Sequence, residues 1–250
     1  MIDAVILAGA KNNKDLKNYS DVEYEALINI QEKPMVEYVL KAVQQADLID
    51  NVILVGPPEQ LKQKMKLQPD QIIKAQDSLT TNIKNGVAAL NTNNDVLLST
   101  GDIPLLTSQA VDDFIKQCQQ YEGDLFYPFI TKKDNDDSFL EGQRTYVNLS
   151  EGKFTGGNLL MIKQNKIDHM LEWFDKAYSW RKSPLKLSHM LGVKCIFKYL
   201  LGWLSINEIE QRVLHLTGCK GKAVLVKHPE ICFDVDKLTD LKLVKEQYLL

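Results

Sequence analysis

Short apolar runs alternate with segments of helical periodicity through the first half of the chain. The runs at residues 4–7, 52–55 and 96–98 predict buried strands, and residues 72–73 mark a weaker one. Apolar residues at helical spacing predict helices over residues 35–46, 80–90 and 108–118. Strands that alternate with helices in this order predict βαβ units and a parallel sheet. Ligands of such sheets bind beyond the carboxyl ends of the strands, so the loops there are the first place to look for a site.

The second half of the chain combines further strand patterns with one long helical stretch. Strands are predicted at residues 124–130, 145–149, 158–162, 223–226 and 232–235, a polar loop at 132–137 and a closing helix at 240–249. Residues 164–217 are almost wholly helical in pattern, with Gly192 and Gly202 as breaks. We expect one α/β domain over residues 1–250, in which residues 164–217 form a helical insertion or a lid.

The composition narrows the class of protein. A net charge of −3 with well-mixed signs lacks the basic face that nucleic-acid binding requires, so we expect no nucleic-acid partner. The cysteines have no zinc-site spacing and are too few for a disulfide framework, which favours reduced thiols in a cytoplasmic protein. The amino terminus predicts a strand rather than a signal peptide. The most apolar stretch elsewhere, residues 195–204, contains Lys198 and is too short to form a stable membrane span.

Two short motifs in the first half suit a bound phosphate or nucleotide. Leu7-Ala8-Gly9-Ala10 follows the first predicted strand, and small residues there let a ligand approach the backbone closely. The alternative is a glycine that serves packing. Lys33-Pro34 stands at a predicted helix start, where Pro34 fits the first helical position. A lysine there can join the helix dipole on a phosphate, or it can be an ordinary solvated residue.

Carboxylates follow the predicted strands at 96–98 and 232–235. Asp102 lies in the turn Gly101-Asp102-Ile103-Pro104, where it is well placed to hold a hard cation or, alternatively, to shape the turn. Asp234 and Asp236 alternate along an extended segment and therefore share one face. We expect one of them to cap the following helix and the other to be a second metal ligand. One or two carboxylates together with substrate phosphates suffice for Mg²⁺.

Taken in order along the chain, these motifs resemble those of the MobA-like nucleotidyltransferases. The matching residues are Leu7-Ala8-Gly9, Lys33-Pro34, Gly101-Asp102-x-Pro104 and Asp234-x-Asp236-x-x-x-Asp240-Leu241. The family belongs to the GT-A-type superfamily, together with CTP-dependent cytidylyltransferases. The resemblance covers residues 1–163 and 221–250. It implies a GT-A/Rossmann-like, three-layer α/β/α fold with a mostly parallel central sheet.

The resemblance also implies a role for each matching position. Leu7, Ala8 and Gly9 would line the base and ribose, Lys33 would contact the phosphates, and Asp102 with Asp236 would hold Mg²⁺. Ser78, Asn82 and Gly86 match positions where relatives recognise base or ribose. Gly156, Gly157 and Asn158 fall where relatives bind the acceptor, although a double glycine is equally suited to a plain hairpin turn.

The loop after the first glycine departs from the family pattern. Active relatives carry a second glycine and an arginine there, whereas this chain has lysines at 11, 14 and 17. Lys11 and Lys14 are the expected replacements on a triphosphate. A lysine acts as a flexible point charge and not as the bidentate fork of an arginine, so the departure bears on turnover more than on fold.

The expected activity is transfer of a nucleoside monophosphate from a nucleoside triphosphate to a small phosphate- or hydroxyl-bearing acceptor, with release of pyrophosphate. The acceptor and the base are left open. One alternative is a GT-A-type glycosyltransferase, because Asp234-Val235-Asp236 is a DxD string. Another is a nucleotide-binding regulatory protein without turnover. The aromatic residues of 164–217 serve core packing, a lid, a homodimer surface or a wall against lipid-like acceptors, with Arg181, Lys182 and Lys186 as candidates near an anion.

Overall fold

A computed structural model describes residues 1–12, 15–138, 144–180 and 192–249. The strands are β1 (Ile2–Leu7), β2 (Asn29–Ile30), β3 (Lys33–Pro34), β4 (Ile49–Gly56), β5 (Gln71–Lys74), β6 (Asp95–Thr100), β7 (Leu125–Thr131), β8 (Val147–Leu149), β9 (Gly152–Gly156), β10 (Leu159–Ile162) and β11 (Gly221–Leu225). The α-helices are α1 (Met35–Gln44), α2 (Pro58–Lys64), α3 (Leu79–Leu90), α4 (Ser108–Cys118), α5 (Lys132–Ser138), α6 (Ile167–Trp180), α7 (Val193–Leu200), α8 (Ile206–Thr217) and α9 (Leu238–Gln247). Short 3₁₀ turns lie at Asp15–Asn18, Glu25–Leu27, Gln164–Lys166 and Pro229–Cys232.

Nine strands form one mixed sheet, and one half of this sheet is parallel. The order β5-β4-β1-β6 is parallel throughout, and β10 then pairs antiparallel with both β6 and β7. Since β4, β1 and β6 are joined through helices, their carboxyl ends lie at one edge of the sheet. The predicted α/β fold with its central sheet flanked by helices is confirmed.

Side chains of β1 alternate between the two faces of the sheet. Ala4 and Ile6 belong to the cluster that packs against α1 and α4, whereas Val5 belongs to the cluster that packs against α3 and α6. All three residues are fully buried. A strand covered on both faces is an apolar run, which is why residues 4–7 could be predicted without an alternating pattern.

A third apolar cluster ties the loop after β1 to the carboxyl-terminal segment. Leu16, in the first 3₁₀ turn, is buried against Phe233, Val235 and Leu241. Asn12 holds the same loop in place, because its side-chain amide donates to the carbonyl oxygens of two residues, Ser20 at 2.8 Å and Val22 at 3.1 Å. The loop that departs from the family pattern is therefore anchored at both ends of its described part.

Two predicted elements are wrong. Residues 132–137 form α5 and not a loop, since the Thr131 hydroxyl accepts from the Asp134 N–H at 3.1 Å and Lys132 pairs with Asp136 one turn on. Residues 232–235 do not form a strand. The Val235 N–H donates to the Asp102 carbonyl oxygen instead of to a neighbouring strand.

The Gly156-Gly157 hairpin turn considered from the sequence is not found either. Both β9 and β10 pair with β7, but Met161 pairs with Phe126 while Phe129 pairs with Gly156. Uninterrupted antiparallel pairing from the first of these pairs would place Asn158 opposite Phe129, so the register shifts by two residues. Gly157-Asn158 is therefore a bulge in one long pairing with β7.

The stretch 164–217 contains α6, α7 and α8 within its described residues. Arg181, Lys182 and Lys186 lie outside the described residues. Among the helices that the structure describes, none is long and apolar enough to cross a membrane.

Candidate active site

The loops that follow β1 and β6 meet at the carboxyl edge of the sheet. The Gly101 N–H donates to the Leu7 carbonyl oxygen at 2.9 Å, and the Ala8 N–H donates to the Val55 carbonyl oxygen at 2.7 Å. Gly9 lies against the loop after β5, since a Cβ at this position would come within 2.5 Å of the Ala75 Cβ. The structure thus brings the Leu7-Ala8-Gly9 turn and the Asp102 loop side by side, as the sequence predicts.

Asp102 has the most perturbed carboxyl group at this edge of the sheet. Its Oδ1 is buried and has no hydrogen-bond partner among the described residues. The pKa of Asp102 is raised to about 6, mainly by burial and also by the carboxylates of Asp234 and Asp236, while the neighbouring Thr100 side chain opposes the rise. An enclosed carboxylate oxygen of this kind is a group that a bound cation would stabilise.

A backbone hydrogen bond holds the segment that carries Asp234 and Asp236 against the Asp102 loop. The Val235 N–H donates to the Asp102 carbonyl oxygen at 2.9 Å. Phe233 and Val235 are fully buried, whereas Asp234 and Asp236 are not, so the predicted alternation of faces is confirmed in an irregular segment.

Neither aspartate caps the last helix, contrary to the prediction. Asp240 does so from within the first turn of α9. Its carboxylate accepts from the backbone N–H of Lys237 at 3.0 Å and from that of Asp236 at 3.2 Å. The capping role that the sequence assigned to one of these two aspartates therefore belongs to Asp240.

Arg144 is the cation of this site, and sequence reasoning missed it. Its Nη1 donates to the Asp234 Oδ1 at 2.9 Å and its Nη2 to the Asp234 carbonyl oxygen at 2.8 Å. The guanidinium lies 4.1 Å from the centre of the Phe233 ring, and its side chain is only 7% exposed. Burial raises the pKa of Asp234 and Arg144 counteracts it. The sequence offers one indirect signal: the loop at residues 10–17 lacks the arginine that active relatives carry, so the site needs a cation from another part of the chain.

The described residues hold no group of three or more His, Cys, Asp or Glu side chains that could bind a metal ion by themselves. The site offers carboxylate oxygens, of which one Asp234 oxygen is already held by Arg144. The enclosed Asp102 Oδ1 and the carboxylate of Asp236, which raises the pKa of Asp102, form an oxygen-only set of candidate donors. Such a set fits Mg²⁺, which usually completes its coordination with waters and substrate phosphates.

The loop after β5 is shaped by Asn82 and Ser78. Asn82 accepts from the Gln76 N–H at 2.6 Å and donates to the Gln76 carbonyl oxygen at 2.9 Å, which holds this loop beside Gly9. The Ser78 hydroxyl accepts from the Thr81 N–H at 3.3 Å and caps α3. Both residues therefore build the wall next to Gly9.

Gly86 has a packing role instead of the predicted ligand contact. It lies on the buried face of α3, and a Cβ there would come within 2.6 Å of Val5 Cγ1 and 2.9 Å of Val55 Cγ2. The glycine lets α3 approach the middle of the sheet closely. The nucleotide-binding prediction for Gly86 is corrected accordingly.

The predicted lysines are not assembled around Asp102. Lys33 lines a groove on the outer flank of α1 with Glu37 and Lys66, and its ammonium lies 5.9 Å from the Tyr38 ring centre. Pairing with Ile30 in the short β2–β3 hairpin sets this direction. Within the described residues Lys33 makes no ion pair with Asp102, and its predicted catalytic contact is not supported by this placement.

Lys11 does not supply the missing charge at Asp102. Lys11 lies 3.6 Å from Glu23, with both side chains more than half exposed at 61% and 53%. Lys14 lies outside the described residues.

The bulge at Gly156-Gly157-Asn158 borders the same carboxylates. The Asn158 carbonyl oxygen accepts from the Thr100 N–H at 3.2 Å, so the bulge adjoins the loop that carries Asp102. Gly156 lies directly against the Tyr127 hydroxyl. The pKa of Tyr127 is raised by burial, and Cys232 and Asp234 raise it as well. The predicted acceptor residues and Asp102 therefore lie at one site.

Comparison with known proteins finds nucleotidyl-transferring relatives. A family model described as the MobA-like NTP transferase domain matches residues 4–201. A 2-C-methyl-D-erythritol 4-phosphate cytidylyltransferase from Clostridium botulinum is 24% identical over 128 residues, which are 48% of this chain and 55% of that protein. The chain therefore spans about half the length of the curated relatives it matches.

Solved structures resemble the whole chain. A hypothetical transferase from Thermus thermophilus has a TM-score of 0.85 and 32% identity, and the match covers 96% of this chain and 99% of that one. A CMP:2-keto-3-deoxy-manno-octonic acid synthetase complexed with CTP has a TM-score of 0.61 and 11% identity, with 100% and 99% covered. At that identity the likeness concerns the fold alone.

Proposed function

Because the chain belongs to the MobA-like NTP transferase domain family, we propose that it transfers a nucleoside monophosphate from a nucleoside triphosphate to a small phosphate- or hydroxyl-bearing acceptor. Pyrophosphate is the second product. One observation carries the proposal: the enclosed Oδ1 of Asp102, for which the described part of the chain supplies no hydrogen-bond partner, lies beside the Leu7-Ala8-Gly9 turn at the carboxyl edge of the parallel strands. That edge is where sheets of this type bind their ligands.

The nucleotide is proposed to lie along Leu7, Ala8 and Gly9, with the Ser78–Asn82 wall beside it. Asn82 fixes this wall through two hydrogen bonds to Gln76. The curated relatives are named cytidylyltransferases, and one structural relative is complexed with CTP. We therefore expect CTP to bind best of the four common nucleoside triphosphates.

Asp102 and Asp236 are proposed to hold Mg²⁺. Asp234 is engaged by Arg144, so its role is to fix the segment that carries Asp236. When bound, the ion would neutralise charge on the transferred phosphate. Because the pKa of Asp102 is raised to about 6, its carboxyl group is mostly ionised at neutral pH, and a bound cation would stabilise that buried charge.

The chain's own contribution to the reaction is positioning. The acceptor oxygen attacks the α-phosphorus in line, and the bond to the pyrophosphate oxygen breaks. Asn158 is hydrogen-bonded to Thr100, so an acceptor held at Gly156-Gly157-Asn158 lies next to Asp102. Holding the two reactants in this way converts a bimolecular step into an effectively unimolecular one. A phosphate acceptor needs no general base, and none is assigned here.

The arrangement weighs against a glycosyltransferase of DxD type. In that reading both carboxylates of Asp234-Val235-Asp236 serve the sugar nucleotide, whereas an oxygen of Asp234 is held by Arg144 at 2.9 Å. A nucleotide-binding protein without turnover is the second candidate. It is favoured by one observation, that neither Lys11 nor Lys33 makes an ion pair with Asp102 in the described part of the chain.

Pyrophosphate release separates the two candidates. We would incubate the protein with CTP, Mg²⁺ and a panel of sugar phosphates, polyol phosphates and phospholipid precursors, and measure pyrophosphate. The transferase predicts release with at least one acceptor class, and its loss in Asp102→Asn but not in the exposed control Asp50→Asn. Tight Mg²⁺-dependent CTP binding without release on any acceptor would support the binder.

A further inference from the structure

An apolar cavity of about 440 Å³ lies between strands β7, β9 and β11 of the sheet and helix α8. Tyr127 and Ala223 form part of its floor, on β7 and β11. Ile209 and Val213 of α8 and Phe174 of α6 lie on the opposite side. The stretch predicted as a helical insertion or lid thus supplies one wall of the cavity. Its volume is within the range of protein sites that hold small organic ligands.

The cavity opens beside the proposed acceptor position. Gly156 lines it and also belongs to the bulge that adjoins the Asp102 loop through Asn158 and Thr100. Tyr127 lines it as well, and its hydroxyl lies against Gly156. A molecule that runs past Gly156 therefore has one end beside the Asp102 loop and the other in the cavity.

The chemistry of the lining selects an apolar occupant. Among the described residues that line the cavity, Glu210 and Lys222 carry the charges, and these two side chains pair with each other at 2.5 Å. Glu210 also accepts from the Ala223 N–H at 3.0 Å, so its carboxylate is used within the wall. A sugar or a phosphate placed here would lose its hydration without gaining matching hydrogen bonds, whereas a hydrocarbon would lose nothing. Protein interiors rarely keep an empty space of this size.

Resting on the proposed function, we propose that the acceptor is amphipathic: its phosphate or hydroxyl end lies at Asp102 and its aliphatic chain lies in the cavity between β7, β11 and α8. The proposal names the acceptor class, a phosphorylated or hydroxylated lipid precursor with a chain of moderate length. The cavity adds binding free energy remote from the reacting phosphorus, which can be used to orient the acceptor.

A chain-length series tests the proposal directly. Binding of n-alkyl phosphates with two to ten carbons, each below its micelle concentration, is measured by calorimetry in the presence of Mg²⁺ and a non-hydrolysable CTP analogue. Each buried methylene is expected to raise affinity by about fourfold until the cavity is full. Affinity that does not rise with chain length would overturn the proposal.

Paired variants on β11 distinguish binding of the alkyl chain in the cavity from non-specific hydrophobic binding. Ala223→Phe places a ring on the floor of the cavity. In this variant the affinity is expected to stop rising at a shorter chain length, and the longest alkyl phosphates are expected to bind at least tenfold more weakly. Leu225→Phe places the same ring two residues on, at a side chain that is 49% exposed and outside the lining, and is expected to change nothing. Ile209→Ala, which enlarges the cavity, is expected to extend the rise to longer chains. Equal chain-length profiles in wild type, Ala223→Phe and Ile209→Ala would contradict the assignment.

The failure of this inference is distinguishable from failure of the proposed function. Mg²⁺-dependent CTP binding is measured in the same proteins and is expected to be unchanged in all three variants, which also verifies folding. If CTP binding is intact but the affinity for alkyl phosphates does not depend on chain length, the apolar acceptor is ruled out and the proposed transferase function stands. A dimer in solution that Ala223→Phe dissociates, without alkyl phosphate binding, would assign the cavity to a second copy of the chain and overturn the inference.

Discussion

The backbone N–H of Val235 donates a 2.9 Å hydrogen bond to the carbonyl oxygen of Asp102. This bond joins the carboxyl-terminal segment to the loop after β6, although the two residues are far apart in sequence. It brings Asp234 and Asp236 close enough to raise the pKa of Asp102. The carboxylate cluster on which the proposed chemistry depends is thus assembled by the backbone.

Loss of the Arg144 side chain should destabilise the protein through Asp234. Arg144→Met leaves the Asp234 carboxylate, 26% exposed, without its guanidinium partner. We expect a loss of about 2–3 kcal/mol in the free energy of unfolding, somewhat below the value for a fully buried pair. Chemical denaturation measures it. The double variant Arg144→Met, Asp234→Asn should recover much of the loss, and an additive double variant would show that the two side chains do not interact.

The apo protein should become more stable when Asp102 loses its charge. Its pKa in the folded state is about 6, above the ordinary aspartate value of 3.8, so the folded state binds the proton more tightly than the unfolded state between those values. Stability from this group is therefore fully present below about pH 4 and is lost as pH rises through 6. We expect Asp102→Asn to gain up to about 3 kcal/mol over wild type at pH 7.5 without Mg²⁺. At pH 4 the gain should vanish; a gain of equal size at both pH values would contradict the titration.

A methyl group at position 86 should affect folding and not nucleotide affinity. Gly86→Ala puts a Cβ within 2.6 Å of Val5 Cγ1, and overpacking of this kind costs about 1–3 kcal/mol. Thermal unfolding measures the loss, with Lys84→Ala on the exposed side of α3 as the control. The dissociation constant for Mg²⁺–CTP should stay within about twofold of wild type, because position 86 faces the sheet. A tenfold weaker affinity would require a loss of about 1.4 kcal/mol in binding free energy. Normal stability with weakened CTP binding would restore the ligand role that the sequence predicts.

Removal of the Lys33 ammonium should have little effect on nucleotide binding. Its side chain lies on the outer flank of α1 beside Tyr38, and it makes no ion pair with Asp102 within the described residues. We expect Lys33→Ala to keep the Mg²⁺–CTP dissociation constant within about twofold, as does the neighbouring control Lys41→Ala. A loss of tenfold or more in Lys33→Ala alone would return Lys33 to the phosphate site.

The sequence predicted the parallel half of the fold well because buried strands leave a continuous apolar run. Residues 4–7 and 96–98 lie inside β1 and β6, and the ends of these strands carry the two motifs that meet at the site. Sequence order alone also indicated that Asp234 and Asp236 share a face. These features depend on local patterns, which a single sequence records.

The features that sequence missed depend on contacts between distant residues. Nothing around Arg144 marks it as the partner of Asp234, which lies 90 residues further along the chain. The direction of Lys33 follows from the β2–β3 hairpin, and the role of Gly86 follows from how closely α3 packs on the sheet. A glycine or lysine in a motif does not report which way it faces. The bulge at Gly157 likewise depends on pairing with β7.

The measurement that tests the central claim most directly is the thermal shift produced by CTP with and without Mg²⁺ in wild type, Asp102→Asn and Asp50→Asn. Saturating Mg²⁺–CTP at about 100 times its dissociation constant should stabilise wild type and Asp50→Asn by roughly 2.7 kcal/mol, or about 5–10 °C. The shift should require Mg²⁺ and disappear in Asp102→Asn, even though that variant is the more stable apo protein at pH 7.5. An equal shift in Asp102→Asn, or no shift with any nucleoside triphosphate in wild type, would contradict a metal-assisted nucleotide site at Asp102.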